Sequence, residues 1–230
     1  MKYNILHYSD THNKHREFIL PNNIDIAIFS GDCSNPMNPY LNELEVRDFI
    51  KWYGSLNIKY KIFVAGNHDS SIEKRLISKF DFAAEGIIYL ENDFTEIDGI
   101  KIWGSPITPT FGNWSFMKNR AKLHDLWQTI PEDTDIIVVH GPPQGVLDLS
   151  CNRENQFEMC GCKALTKRVK QIEPKYCMFG HIHNGDDVTN TGTRTFVDHK
   201  TIYSNGSCIT DRQFHKGLTS FGNVFEYETK

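Results

Sequence analysis

Short apolar runs rich in β-branched residues recur along the chain, and turn-forming residues bound each of them. Several runs are apolar at nearly every position, which is typical of sheet strands that are covered on both faces. The runs that predict such buried strands are 3–8, 24–29, 60–65, 136–139 and 175–179.

Helical patterns lie between these runs and predict helices that pack against the sheet. The apolar positions near one helical face are Leu41, Leu44, Phe49, Trp52, Tyr53 and Leu56, followed later by Leu165, Val169 and Ile172. Strands that alternate with helices indicate an α/β sandwich.

Antiparallel pairing is predicted as well. Asp98-Gly99 suits a type I′ turn between the strand-like segments 94–97 and 100–103. Strand-forming residues are also frequent at 194–197, 201–204 and 221–227. We therefore expect mixed β-sheets flanked by helices rather than a purely parallel sheet.

The composition narrows the class of protein. Of the 230 residues, 39% are hydrophobic and 23% are charged, which excludes a disordered, collagen-like or coiled-coil chain. The length and the absence of repeats or linkers predict a single domain over residues 1–230. With 25 basic and 29 acidic residues the net charge is −4, so no overall positive field draws the protein to nucleic acid or anionic lipid. The net charge does not exclude a local basic groove on the surface.

The first residues of the chain and its cysteines indicate the cellular compartment of the protein. The chain opens directly on a strand-like stretch, and no apolar run approaches membrane-spanning length, so we expect a soluble, cytoplasmic protein with no membrane partner. The six scattered cysteines fit reduced thiols. Cys160 and Cys162, with Cys151 nearby, are an alternative zinc site, but the usual spacing and a second pair are missing, which favours simple packing.

Metal-type ligands follow the ends of all five buried runs. Loops beyond the carboxyl ends of strands share one edge of an α/β sheet, so residues far apart in sequence converge there. Asp oxygens, His nitrogens and an Asn carbonyl, without thiolates, suit Mn²⁺, Fe or Zn²⁺. The motifs are Asp10-Thr11-His12, Gly31-Asp32, Gly66-Asn67-His68-Asp69, His140-Gly141-Pro142-Pro143 and Gly180-His181-Ile182-His183.

Each of these motifs alone is a weak signal, since Gly-Asp and Gly-Asn commonly form turns. Five of them in order, each directly after an apolar run, are far harder to obtain by accident. The pattern therefore predicts one metal site rather than five unrelated turns.

This ordered series resembles that of the calcineurin-like metallophosphoesterases, and the resemblance spans roughly residues 1–208. A finer similarity is to the metallophosphoesterase-domain-containing proteins, which are related to class III cyclic-nucleotide phosphodiesterases. It implies a metallophosphoesterase-type α/β sandwich and a metal-dependent phosphoric ester hydrolase. The segments that carry it are Trp103-Gly104-Ser105-Pro106, Phe111-Gly112-Asn113-Trp114-Ser115-Phe116, His140-Gly141-Pro142-Pro143, Gly161-Cys162 before a helix, Phe179-Gly180-His181-Ile182-His183 and Asn205-Gly206-Ser207.

The resemblance also implies roles for single residues. Two divalent cations are expected, Mn²⁺ first and Fe or Zn²⁺ as alternatives, with a water between them that attacks phosphorus. His68 is the expected catalytic residue, which stabilises or protonates the departing oxygen. Asp10, His12 and His183 would bind the first cation, Asn67, His140 and His181 the second, and Asp32 both.

Departures and weaker signals qualify the resemblance. Gly31-Asp32 is followed by Cys33-Ser34-Asn35-Pro36 instead of the segment with a phosphate-binding Arg found in phosphoprotein phosphatases, so a protein phosphatase loses support. Asp69 either orients the site or caps a turn or helix.

Aromatic residues around a Gly- and Asn-rich stretch offer a second hypothesis. Trp103, Phe111, Trp114 and Phe116 would either stack on a nucleobase or pack in the core. The candidate substrate-binding residues are Asn113 and Trp114, while Arg120 would meet phosphate or solvent. The histidines that fit no motif, and are expected on the surface or in the core, are His7, His15, His124, His199 and His215.

The resulting prediction is a phosphodiesterase with a dinuclear metal centre that hydrolyses cyclic nucleotides or similar small phosphodiesters. A nuclease or phosphomonoesterase with the same metals is an alternative, as is a non-catalytic binding or scaffold protein on this fold. The sequence excludes neither a nucleic acid substrate nor a homo-oligomer.

Overall fold

The computed structural model describes residues 1–152, 154, 156–211 and 217–229. The strands are β1 Lys2–Tyr8, β2 Ile26–Phe29, β3 Tyr60–Phe63, β4 Ile87–Tyr89, β5 Asp93–Ile97, β6 Ile100–Ser105, β7 Thr108–Pro109, β8 Met117–Lys118, β9 Ile136–Val139, β10 Leu149–Cys151, β11 Phe157–Met159, β12 Tyr176–Phe179, β13 Gly192–Phe196, β14 His199–Asn205 and β15 Asn223–Glu228. The helices are α1 Pro39–Ser55, α2 Ser70–Glu73, α3 Lys79–Ala84, α4 Leu123–Gln128 and α5 Lys163–Ile172, with 3₁₀ turns at His15–Glu17 and Arg120–Lys122.

Two mixed sheets form the centre of the fold, as the sequence predicts. The first has the strand order β15-β1-β2-β3-β4, with β15 antiparallel to β1 and the others parallel. The second has the order β13-β14-β12-β9-β6-β5, with antiparallel strands at both edges of a parallel centre. Two small ribbons, β7-β8 and β10-β11, lie outside these sheets.

The two sheets pack face to face, and helices cover their outer faces. Ile28 of the first sheet and Val138 of the second belong to one buried cluster between the sheets. Phe29 packs with α1 on the outer side of the first sheet, and Val139 packs with α4 and α5 on the outer side of the second. Both faces of the central strands are therefore buried, which explains why their sequences are apolar without alternation.

The predicted hairpin is confirmed. Asp98 and Gly99 have φ angles of 49° and 82°, and a type I′ turn needs positive φ at both central residues. Ile97 and Ile100 pair across the turn between β5 and β6.

The predicted buried face of α1 is wrong at its start. Leu41 and Leu44 are 57% and 67% exposed, whereas Val46 and Tyr53 are fully buried. At about 100° per residue, Leu44 lies on the opposite side of the helix from Tyr53. The position that leucine was expected to fill on the inner face is taken by Asn42, which is buried.

The cysteines contribute no metal site in the part of the chain described. Every residue group there that can hold a metal ion lacks cysteine. The Cys162 sulfur instead accepts a hydrogen bond from the Trp127 indole at 3.2 Å. Within the same residues, no helix has the length and apolar character needed to cross a membrane.

Candidate metal centre

The five motifs meet where the carboxyl ends of both sheets adjoin. The motifs after β1, β2 and β3 lie at the edge of the first sheet, and those after β9 and β12 lie at the edge of the second. Main-chain hydrogen bonds continue beyond the strand ends, from Asp10 N–H to the Gly31 carbonyl at 2.8 Å and from Ser9 N–H to the Gly206 carbonyl at 2.9 Å. The second of these bonds connects the loop after β1 in the first sheet to the loop after β14 in the second sheet.

The backbone is unusual at several predicted ligands. Asp10, His12, Asp32 and His181 have φ angles of 52°, 42°, 59° and 70°. Non-glycine residues in this left-handed region are uncommon, and such conformations cluster at functional sites.

Two motif glycines allow the carboxylates to approach neighbouring loops. A Cβ atom on Gly66 would lie 2.2 Å from Asp32 Oδ1, and one on Gly180 would lie 2.1 Å from Asp10 Oδ2. Any side chain at either position would displace a carboxylate. Gly-Asn-His and Gly-His-x-His therefore need their glycines for packing against the acidic residues.

Three groups of side chains bring their nitrogen and oxygen atoms within 4.8 Å of one another, close enough to hold a metal ion. Asp32 and His12 each belong to two of the groups. Asn67 joins through its Oδ1 atom, 2.9 Å from His140 Nε2. The groups are Asp10, His12 and His183; His12, Asp32 and His68; and Asp32, His140 and His181.

The structure thus brings all seven predicted ligands together, and their binding of metal stays a prediction. Within the cluster, His183 Nε2 lies 3.1 Å from Asp10 Oδ1, and His140 Nε2 lies 3.2 Å from Asp32 Oδ2. Carboxylate oxygens and imidazole nitrogens crowded in a buried space are a donor set that fits divalent cations.

Charge is balanced inside the cluster. Burial raises the pKa of Asp10, but the hydrogen bond and positive charge of His183 outweigh it and bring the pKa to about 2. Burial lowers the pKa of His140, but Asp32 raises it to about 9. Both pairs therefore favour an ionised carboxylate beside a protonated histidine, and a cation that binds there would displace the histidine proton.

Neutral acceptors orient two of the histidines. His140 Nδ1 donates to the Ser30 carbonyl at 2.8 Å, and His12 Nδ1 donates to Asn35 Oδ1 at 2.9 Å. Each bond directs the opposite nitrogen, Nε2, into the cluster, where it is available to a metal.

Asp69 links two ligand loops. Its buried carboxylate accepts hydrogen bonds from the N–H groups of Gly66 at 2.8 Å and Asp32 at 3.1 Å, and from the Ser34 hydroxyl at 2.7 Å. Its side chain makes no capping bond to α2, so the helix-cap interpretation is wrong, whereas the bond from Gly66 N–H does cap the turn over residues 66–69. The observed contacts favour the alternative, in which Asp69 holds the Asp32 and Asn67 loops together.

Asn42 is a supporting residue that the sequence analysis missed. From α1 it donates to the His68 carbonyl at 2.7 Å and the Ser34 hydroxyl at 2.8 Å, and it accepts from Ser71 N–H at 3.0 Å. A polar residue within the apolar stripe of a helix was the one available signal. Asn42 anchors the His68 loop to the helix.

His68 lies at the edge of the cluster. Its N–H donates to Asp32 Oδ1 at 2.7 Å, and its ring packs 4.4 Å from that of Trp114. Its imidazole is also near enough to His12 and Asp32 to share a metal with them. The geometry alone thus permits a ligand role besides the predicted catalytic one.

A cavity of about 520 Å³ opens onto the cluster, and its wall includes Asn67, His68, His181 and His183. Phe111 and Trp114 also line it, with the Phe111 ring 5.1 Å from that of His181. Trp103 and Phe116 are buried instead, so for these two the packing alternative is correct. Asn113 lines a smaller neighbouring cavity beside His68 and Trp114.

The four described histidines outside the motifs lie outside the cluster. His7 and His15 are buried, His124 is exposed and His199 is half-buried. His215 falls outside the described residues.

Two stacked mixed sheets with a buried Asp, His and Asn cluster at their shared edge define a metal-dependent hydrolase. The profile of the calcineurin-like phosphoesterase family matches residues 3–185, and the chain belongs to this family. Its members are metal-dependent phosphoesterases with a centre for two divalent cations.

Named relatives agree with this assignment. The chain is 33% identical over 214 residues to human "Metallophosphoesterase domain-containing protein 1", covering 83% of this chain and 63% of the human protein. It is 32% identical over 234 residues to "UPF0046 protein C25E10.12" of Caenorhabditis elegans, covering 92% and 81%. A solved crystal structure covers 99% of each chain with a TM-score of 0.67 at 14% identity, which shows likeness of fold alone.

Proposed function

We propose that this protein, as a single domain over residues 1–230, is a phosphodiesterase that hydrolyses cyclic nucleotides or similar small phosphodiesters with two divalent cations. The observation that carries the proposal is the convergence of seven predicted ligands beside a cavity with aromatic walls. The family membership supports the reaction class, and the cavity supports the choice of substrate.

The two cation sites share one carboxylate in this proposal. Bound there, the cations would lower the pKa of a water molecule and neutralise charge on the phosphoryl oxygens. Asp32 suits the shared position because its Oδ2 atom lies 4.0 Å from His12 Nε2 of the first site and 3.2 Å from His140 Nε2 of the second. Asp10, His12 and His183 would hold the first cation, and Asn67, His140 and His181 the second.

His68 would act on the leaving group. Its main chain is fixed by Asp32 and Asn42, and its Nδ1 atom faces the Asn35 carbonyl at 3.3 Å. Donation from Nδ1 to that carbonyl directs Nε2 to the departing oxygen of a substrate in the cavity, and the role requires the imidazolium form, in which Nε2 also carries a proton. A positioned group of this kind stabilises the developing alkoxide or protonates it.

The cavity favours a small substrate over nucleic acid. A volume of about 520 Å³ is within the usual range for small-molecule sites. Arg120 is the sole Lys or Arg among the described lining residues, and its guanidinium donates to the Gly161 carbonyl at 2.8 Å. Glu158 and Asp211 line the same cavity, so the described lining residues form no basic track of the kind that a nucleic acid backbone requires.

Metal removal and a substrate panel test the proposal. Chelation should abolish hydrolysis and Mn²⁺ should restore it. Among the described residues that line the cavity, no Ser or Cys pairs with a His base that could activate it as a nucleophile, so a metal-activated water is the expected nucleophile. We expect turnover of 2′,3′- or 3′,5′-cyclic nucleotides to exceed that of a mononucleotide and of single-stranded DNA. Full activity in metal-free protein would refute the metal mechanism, and preferred cleavage of DNA would favour the nuclease alternative.

Trp114→Ala should weaken nucleotide binding. Stacking of a base on an aromatic ring contributes about 1–3 kcal/mol, so KM for a cyclic nucleotide should rise roughly 5- to 150-fold. Because Trp114 also packs on His68, kcat is a poor indicator, and the informative measurement is KM for the nucleotide relative to KM for glycerophosphoglycerol, which has neither a ring nor a cation that would bind the Trp114 face. Trp114→Phe is the control that keeps an aromatic face. An equal rise in KM for both substrates would argue against base stacking.

A further inference from the structure

His183 differs from the other oriented ligands because it lies between two carboxylates. Its Nε2 atom is 3.1 Å from Asp10 Oδ1 inside the cluster, and its Nδ1 atom is 2.9 Å from Asp211 Oδ1 outside it. His12 and His140 direct their Nδ1 atoms to neutral oxygens, an amide and a main-chain carbonyl. Hydrogen bonds to a charged acceptor are stronger than those to a neutral one.

The main chain holds Asp211 in place. Asn184 follows His183 in the sequence, and its carbonyl accepts a hydrogen bond from Asp211 N–H at 3.0 Å. A parallel β-bridge also joins Asn184 to Thr210. The Asp211 side chain is 63% exposed and lies between the main cavity and a neighbouring one of about 390 Å³. Its substitution therefore removes a specific contact without opening the core.

We propose that Asp211 is a positioning residue that strengthens cation binding at the site of Asp10, His12 and His183, so that the two cation sites have unequal affinities. This inference rests on the proposed function. The Asp211 carboxylate fixes the tautomer of His183 with hydrogen on Nδ1. It thereby makes Nε2 a better electron-pair donor to a cation, and it adds negative charge near that site.

Calorimetric titration of the metal-free protein with Mn²⁺ tests the role of Asp211. Asp211→Asn keeps an oxygen that can accept the Nδ1 hydrogen but removes the charge. We expect it to weaken one of two binding events by about 10–100-fold and to leave the other unchanged. Asp211→Glu should restore part of the loss. The matched control is Asp187→Asn, which removes a carboxylate from the same neighbouring cavity and should leave both events unchanged.

The same titration in the Asn67→Ala variant identifies which cation site Asp211→Asn weakens. Asn67→Ala removes a proposed ligand from the other site, so the tighter binding event that remains belongs to Asp10, His12 and His183. Asp211→Asn should weaken this remaining event as well.

The outcomes separate the two proposals. A wild-type chain that binds no Mn²⁺ overturns both the metal centre and the role of Asp211. Two wild-type binding events that Asp211→Asn leaves unchanged overturn the role of Asp211 alone. Equal weakening of both events, together with a lower Tm of the metal-free variant, would show a structural role and also overturn the inference.

Discussion

Asp32→Ala should remove both cations and with them all hydrolysis. Asp32 lies in two of the three candidate groups, within 3.2 Å of His140 Nε2 and 4.0 Å of His12 Nε2. Its loss takes a charged ligand from both sites at once. Asn67→Ala removes one neutral oxygen from one site, so it should leave more metal bound.

Elemental analysis of the purified variants measures this difference as metal ions per chain. Asp32→Asn is the control for packing, because it keeps the shape of the side chain and loses the charge. It should resemble Asp32→Ala in metal content and wild type in its circular dichroism spectrum. Unchanged stoichiometry in Asp32→Ala, with loss confined to Asn67→Ala, would overturn the shared position of Asp32.

His68→Ala should keep its cations and fold but lose turnover of cyclic nucleotides. The departing oxygen of such a substrate is a sugar alkoxide, a poor leaving group, and a positioned general acid contributes about 10²–10⁴-fold to the rate. A nitrophenyl phosphodiester releases a stable phenolate and needs little help. The loss in kcat should therefore be much smaller for the nitrophenyl substrate.

Comparison of kcat for the two substrates, with metal content measured in the same preparation, distinguishes the possible roles of His68. Equal losses with normal metal content would indicate that His68 positions the substrate. Loss of metal would show that His68 is a ligand, which its distance to His12 and Asp32 permits. His124→Ala is a suitable control, because that histidine is exposed and lies outside the cluster.

The sequence was sufficient to predict where the candidate site forms. Asp10, Asp32 and His140 each follow a buried strand within three residues, and parallel strands bring their carboxyl ends to one edge. Apolar runs without alternation marked these strands clearly, because helices and a second sheet cover both of their faces.

The division of the strands between two sheets could not be predicted in the same way. A continuously apolar strand such as Ile136–Val139 shows that both faces are buried but not which strands lie beside it. The pairing of Asn223–Glu228 with the first strand joins opposite ends of the chain, and no local pattern specifies such a pair.

The supporting residues were missed for a different reason. Asn42 and Asp211 act through contacts with His68 and His183 that are distant in sequence. A single Asn in a helix or Asp in a loop has many ordinary explanations, so its role depends on three-dimensional neighbours that periodicity does not identify.

The left-handed backbone at Asp10, His12, Asp32 and His181 has a consequence for how the centre binds its ions. Conformations of this kind cost about 1–3 kcal/mol per residue and persist where surrounding structure determines them. Here the main-chain bonds of Asp10 and the contacts of the Asp69 carboxylate join these loops to one another. If these bonds form on folding, they would preorganise the cage, and the free energy of ion binding would be released as affinity instead of being consumed in ordering the chain.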